Sequence, residues 1–317
     1  MKPKISVIMC VYNAEKYLAD SIESILNQSF ENFEFIIVED NSKDNSKKII
    51  KRFLISEKRI KLISNKNNLG AAKSRNRALQ IARGKYIAIM DADDISLKDR
   101  LKIEWDYLEK HPEIFMIGGG VILIDEKGNK LKEAINHLNE KEIRKTLSSK
   151  NCFYHPSVMF RKDKKIKYRD KIYYCEDYDL YLTMLTHNKR ITIIPDILIK
   201  YRINSGSISL SKKAKQMLFS KQVRQFYLDR IKYGKDNYSE FDAEKILSYD
   251  IKNSKDREVL KYEILGAFLS EDLKKLRRIS KRYLKIHGYS SKIFLYYSFS
   301  FLGKEINRLI KKLTLKM

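Results

Sequence analysis

Four short apolar runs recur along the first ninety or so residues, and each gives way at once to polar or acidic ones: Ile5–Val11, Phe33–Val38, Ile60–Ser64 and Tyr86–Met90. Runs this short and mostly apolar suit strands covered on both faces. Between them lie stretches with helical spacing. Tyr17, Leu18, Ile22, Ile25 and Leu26 recur within residues 14–28, and Ile49, Ile50, Phe53 and Leu54 share one side of the next. A small-residue helix over 71–83 is closed by Gly84. Strand and helix alternate at a period of about 25 to 40 residues, which predicts a doubly wound parallel sheet. Right-handed crossovers then place every strand's carboxyl end on one edge, where ligands of open α/β sheets bind. Tyr12-Asn13, Glu39 to Asp44 and Asp91 to Asp94 are predicted to converge there.

The last of these clusters is the most demanding. Asp91, Asp93 and Asp94 bring three carboxylates within four positions at the end of a buried strand. Crowded carboxylates repel one another unless a cation or solvent relieves them. Ligand sets made only of oxygen suit magnesium or manganese better than zinc. An Asp-x-Asp is frequent by chance, and the alternative is a solvated turn with Asp94 or Ser96 capping the next helix.

Further along, a helix carrying Leu101, Trp105 and Leu108 is stopped by His111-Pro112. Ile114–Ile124 reads as strand interrupted by Gly118-Gly119-Gly120, and Asp125 to Asn129 as a hairpin turn. A short helix over 139–149, a short strand over 155–161 and a helix opening at Glu176-Asp177-Tyr178-Asp179 follow. Ile191–Tyr201 reads as strand interrupted at Pro195, closing with Arg202 to Gly206. These readings divide the chain into a first domain over 1–206 and a basic helical region over 207–317.

The formal net charge is +25, which implies an anionic partner: a nucleic acid, an acidic membrane or a phosphorylated substrate. Residues 206–317 hold 26 lysines and arginines against 12 acids, more than half of that excess. Within 291–315, Phe294, Leu295, Tyr296, Tyr297, Phe299, Phe301 and Leu302 accompany Lys304, Arg308, Lys311 and Lys312. The pattern fits a helix lying on anionic lipid, and equally a helix packed on the first domain. Three widely spaced cysteines form neither a disulfide framework nor a zinc pattern, which points to a reducing compartment. The Ile5–Val11 run is too short for a signal peptide, and no run approaches a membrane span, so a cytoplasmic protein is expected.

With these pieces in order, the chain resembles the family 2 glycosyltransferases of GT-A fold. The motifs that carry the resemblance are Ser6 to Asn13; Val38-Glu39-Asp40-Asn41-Ser42-Lys43-Asp44; Asn68-Leu69-Gly70 with Arg75-Asn76; and Met90 to Asp94. His155 to Arg161 and Glu176 to Leu180 extend it, over residues 3–206 in all. The resemblance implies a mixed sheet with a Rossmann-like nucleotide-binding half, a nucleotide-sugar donor and an inverting single displacement.

It also implies roles. Asp40 would accept a hydrogen bond from uracil, with Tyr12 as a stacking surface and Val11, Asn13 and Ala92 beside them. Asp93 would bind a manganese or magnesium ion bridging the phosphates, and Asp91 would assist at the ribose or metal. Asp177 would be the general base, with Glu176 orienting it or the acceptor. Arg75 would reach the base or a phosphate, and Arg202 the diphosphate. Plainer alternatives stand beside these: a core tyrosine at 12, a helix cap at Asp40 with Asp44 the better cap, a solvated helix face at Arg75, and acids that merely favour the helix start at 176–179. His155 is a weak acceptor-side candidate. Many relatives carry histidine where this chain has Asn204, a weaker metal ligand.

Three functions compete. One is a glycosyltransferase at the inner face of the cell membrane, acting on a saccharide or lipid-diphosphate-linked acceptor in surface-polysaccharide synthesis. The second is a nucleic-acid-binding protein, but no helix-turn-helix, zinc or RNP pattern is visible and the acids would repel phosphates. The third is a nucleotide-sugar pyrophosphorylase, which would want a glycine- and basic-rich signature where Val11-Tyr12-Asn13-Ala14-Glu15 stands.

Overall fold

The structure, a computed structural model, describes residues 2–203, 212–251, 253–303, 306 and 310. Asn204 and the basic residues Lys304, Arg308, Lys311 and Lys312 lie outside the described residues. The chain forms two compact units: residues 1–124, 133–170 and 176–202, and residues 125–132, 171–175 and 203–317. The second therefore takes up two short stretches that a linear reading assigns to the first.

In the first unit, strands β1 (Ile5–Val11), β2 (Phe33–Glu39), β3 (Ile60–Ser64) and β4 (Tyr86–Asp91) alternate with helices α1 (Leu18–Leu26), α2 (Ser46–Ser56) and α3 (Ala71–Ile81). These four strands are parallel in the order β3-β2-β1-β4. Each of β1, β2 and β4 is buried along nearly its whole length, as their apolar runs require. Register fixes the site edge: Val11 lies beside Glu39, Cys10 beside Asp91, and Glu39 beside Ser64.

The chain continues through β5 (Ile95–Ser96), α4 (Arg100–Lys110), β6 (Ile114–Ile124), β7 (Lys130–Ala134), α5 (Glu140–Leu147), β8 (Val158–Arg161), α6 (Glu176–Thr186) and β9 (Arg190–Arg202). The sheet runs on from β4 as β8-β6-β9-β5. β8 is antiparallel to both β4 and β6, so the sheet is mixed rather than all parallel. Residues 155–157 form a 3-10 turn, and only Val158–Arg161 is strand.

The glycine triplet does not interrupt β6. A Cβ on Gly118 would lie 2.6 Å from the Phe153 ring, and one on Gly119 2.4 Å from Leu198 Cδ1, so these glycines admit close neighbours. Pro195 sits where the β6–β9 register jumps between the Gly118–Ile193 and Gly120–Ile197 pairs, a place that needs no ladder N–H. Gly84 is not the helix cap that its position suggests, since α3 ends at Ile81 with Ala82 as its cap. Its Cβ would stand 2.5 Å from the Ser6 backbone nitrogen and 2.7 Å from the Ile5 carbonyl carbon. Backbone cannot swing aside, so Gly84→Ala is expected to lower stability by about 1–3 kcal/mol. The reading is a reduced urea midpoint at unchanged slope; an unmoved midpoint would show that the start of β1 yields.

Among the described residues the regular elements of the second unit are helices, apart from part of β7. Its helices are α7 (Lys213–Tyr233), α8 (Glu244–Leu247), α9 (Arg257–Leu269), α10 (Leu273–His287) and α11 (Ser291–Phe299). Asp256 and Asp272 cap α9 and α10 by accepting from the Val259 and Lys275 backbone N–H groups. Leu260, Ile264 and Phe268 pack with Leu276, Tyr283 and Ile293 in one core. Ile293 of α11 faces inward with Tyr296 and Phe299 against it, whereas Phe294 and Leu295 are exposed. No described helix is long and apolar enough to cross a membrane.

Candidate active site

At the carboxyl edge of the sheet, β1 and β2 are each followed two residues on by an asparagine with left-handed backbone, Asn13 (φ 50°) and Asn41 (φ 59°). Asparagine tolerates that conformation better than most residues. The two loops are sewn together: Asn13 N–H donates to Ser42 Oγ (3.1 Å), and Asn13 Oδ1 accepts from Lys43 N–H (2.7 Å). Tyr12 projects with 48% of its surface exposed, so it is not a core tyrosine. Asp40 is buried and caps no helix. Its Oδ1 accepts from Asn65 Nδ2 (2.6 Å) and Leu69 N–H (2.8 Å), and its Oδ2 from Gly70 N–H (2.9 Å). Asp44 instead accepts from the Ser46 N–H at the start of α2.

The acidic turn after β4 is braced from two sides. Ser21 Oγ of α1 donates to the Asp94 carbonyl (2.7 Å). From the end of β9, Arg202 N–H donates to Asp94 Oδ1 (2.7 Å) and Arg202 Nε to the Asp93 carbonyl (2.8 Å). The Arg202 guanidinium also lies 4.2 Å from the Tyr17 ring centroid. Asp94 Oδ2 is buried without a hydrogen-bond partner. Burial, then the Asp93 and Asp91 charges, raises the Asp94 carboxyl well above its ordinary range. No group of three or more His, Cys, Asp or Glu among the described residues is placed to hold a metal ion. The turn offers oxygen donors only, the kind a hard cation takes.

Arg75 ties this turn to the start of α6. It is only 8% exposed, with Nη1 donating to Glu176 Oε1 (2.6 Å) and Nη2 to Asp91 Oδ1 (3.1 Å). It is therefore not a solvated helix face; both terminal nitrogens hold carboxylates. Burial raises the Asp91 carboxyl, and Arg75 opposes that rise.

Asp177 follows Glu176 at the amino end of α6. Burial, then the Glu176 charge, pushes its carboxyl up to about 7, against the Tyr178 backbone N–H and Arg75. A carboxylate near neutrality is matched to taking a proton from a hydroxyl. Asp179, two positions on, is fully buried and paired with Arg169, so its place in the acid run is structural. His155 is also interior. Nδ1 lies 2.6 Å from the Tyr181 hydroxyl and Nε2 3.0 Å from that of Tyr168, and burial lowers its proton affinity. It bridges two tyrosines rather than facing an acceptor.

These groups share one neighbourhood. The Cys10 thiol, pushed up to about 12 by burial, feels Arg75, Asp91, Asp40 and Glu176 together. The Tyr201 hydroxyl, raised by burial, feels Asp94, Asp91, Asp93 and Asp177. Asn65, Asn151 and the pairing of Arg75 with Asp91 and Glu176 are not legible in the motifs. Asn65 was within reach, because it is the first residue past β3 on the edge where the other clusters meet.

The family model described as "Glycosyl transferase family 2" matches residues 6–169. The chain is 36% identical to the O-antigen biosynthesis glycosyltransferase WbnJ of Escherichia coli, over 71% of this chain and 90% of that one. Among solved structures it resembles S. aureus TarS 1-349 in complex with UDP (TM-score 0.53, 20% identity, 96% of this chain and 91% of that). It also resembles the mannosyltransferase PcManGT from Pyrobaculum calidifontis in complex with GDP-Man and Mn2+ (TM-score 0.56, 14% identity, 100% and 89%). At such identities the two structures speak for the fold alone.

Proposed function

The chain belongs to glycosyl transferase family 2, and from that membership we propose that it moves a sugar from a UDP-sugar to a hydroxyl of a saccharide or lipid-linked oligosaccharide in surface-polysaccharide synthesis. The observation that carries the reading is the linked set Asp91–Arg75–Glu176, with the near-neutral carboxyl of Asp177 next to it.

The donor's base stacks on the exposed Tyr12 ring, flanked by Val11, Asn13 and Ala92. Asp40 accepts from the uracil imide N–H. Three protein donors occupy its carboxylate, and a carboxylate has about four acceptor positions. Asp93 is the residue that would hold a manganese or magnesium ion, which when bound neutralises the departing diphosphate. Asp91 faces the ribose, and Arg202 shapes the acidic turn. Asp177 takes the proton of the acceptor hydroxyl as that oxygen bonds to the anomeric carbon. The carbon–oxygen bond to the diphosphate breaks on the opposite face, so one displacement inverts the centre and needs no second nucleophile. The work takes place at the cytoplasmic face of the membrane, with the basic helices and the exposed Phe294 and Leu295 of α11 resting on anionic lipid.

A panel of nucleotide-sugars, each assayed for hydrolysis with and without Mn2+, tests this. One UDP-sugar is expected to be cleaved with inversion, and Asp93→Ala to lose on the order of 10²-fold or more of the metal-dependent rate. Retained configuration, or an unaffected Asp93→Ala rate, would sink the assignment.

A further inference from the structure

The stretch between α5 and β8 carries a side chain that touches the proposed base from outside its own helix. Asn151 Nδ2 donates to Asp177 Oδ2 at 2.9 Å, while Asn151 Oδ1 accepts from the Phe153 backbone N–H at 3.0 Å. The second bond fixes the amide's orientation. Only its oxygen can accept from a backbone N–H, so the amino group must face the carboxylate. The stretch is itself pinned. Asn136 Nδ2 holds the Cys152 carbonyl (2.7 Å), the Tyr178 hydroxyl donates to the Leu147 carbonyl, and the Phe153 ring lies 5.0 Å from that of Tyr181.

We propose that Asn151 is a positioning residue for this reaction: its amide sets the rotation of the Asp177 carboxylate and holds it ready as a proton acceptor. This rests on the reading of Asp177 as general base. Glu176 on its own helix and Asp91 from β4 oppose ionisation of Asp177, and Arg75 from α3 favours it. The phenols of Tyr168, Tyr181 and Tyr201 near it are held neutral by burial. An amide donor adds support for the ionised form without adding charge.

The full-length protein with isotope-labelled aspartate carboxyls is titrated by NMR, the Asp177 signal being identified by its loss in Asp177→Asn. Removing a donor to a charged group should move the Asp177 midpoint up by about one pH unit in Asn151→Ala. Asn151→Asp adds a like charge and should move it further. It also keeps an acceptor for the Phe153 N–H, so it supplies the same reading if the alanine variant fails to fold. An unmoved midpoint in a folded variant overturns the positioning role and leaves the base assignment standing. Donor hydrolysis undiminished in Asp177→Asn overturns the base assignment, and this inference with it.

Discussion

Asp177→Asn is expected to lower turnover by about 10²- to 10⁴-fold while leaving donor affinity near that of the parent. The amide keeps the shape and can still accept from Asn151, but it cannot take a proton. In the parent protein, activity should fall as the pH drops through about 7, because Asp177 must be ionised to act. The same shift has an opposite signature in stability. The folded carboxyl binds its proton more tightly than the unfolded one, whose pKa is near 3.8. Stability from this group is therefore fully present below that value and is lost as pH rises towards about 7. At pH 8 the Asn variant should unfold at a higher temperature than the parent, and near pH 3 the two should converge. A variant that is inactive and no more stable at pH 8 would mean that the buried charge costs the fold nothing.

The second large effect belongs to Arg75. Arg75→Met keeps much of the side chain's bulk but leaves the half-buried carboxylates of Asp91 and Glu176 without their shared buried cation. Removing one member of a buried ion pair costs about 3–5 kcal/mol, a large part of the roughly 5–15 kcal/mol that holds a domain together. The loss should be measurable by urea unfolding at pH 7.5 and should shrink in acid, where the stranded groups take up protons. Adding Glu176→Gln to Arg75→Met should restore part of it, since the second change removes one of the uncompensated charges. If Arg75→Met unfolds at the parent's urea concentration, water already screens this cluster.

What the sequence disclosed follows from what its signals can encode. The mostly apolar runs gave β1 to β4 nearly to the residue, and Pro112 gave the end of α4. Runs of this kind carry no strand direction, so nothing in Val158–Arg161 announced an antiparallel strand between β4 and β6. Charge patterns were harder still. Arg100 and Glu104, four apart on a helix, look like a solvated pair, yet both are fully buried, with Arg100 Nη2 on the Ile89 carbonyl behind the acidic turn. Arg75 is likewise buried where a solvated helix face stood as the plainer alternative. A sequence lists which charges exist, but which of them face inward is decided by elements far away in the chain. Asp40 shows the converse: its motif singles it out in the sequence, and only the fold reveals the Asn65, Leu69 and Gly70 donors that hold it.

The brace between the Arg202 backbone and Asp94, 108 positions apart, and the Arg75–Glu176 contact, 101 apart, bear on how the enzyme comes into being. Contacts at such separation form only after long stretches of chain have been gathered, and the entropy of that closure is spent before they return anything. Local helices and the β1–β2 hydrogen-bond ladder can form early; the Arg75–Glu176 and Arg202–Asp94 contacts cannot. During synthesis on the ribosome, a chain that has emerged only as far as α5 would hold a nearly finished nucleotide half and no competence for transfer.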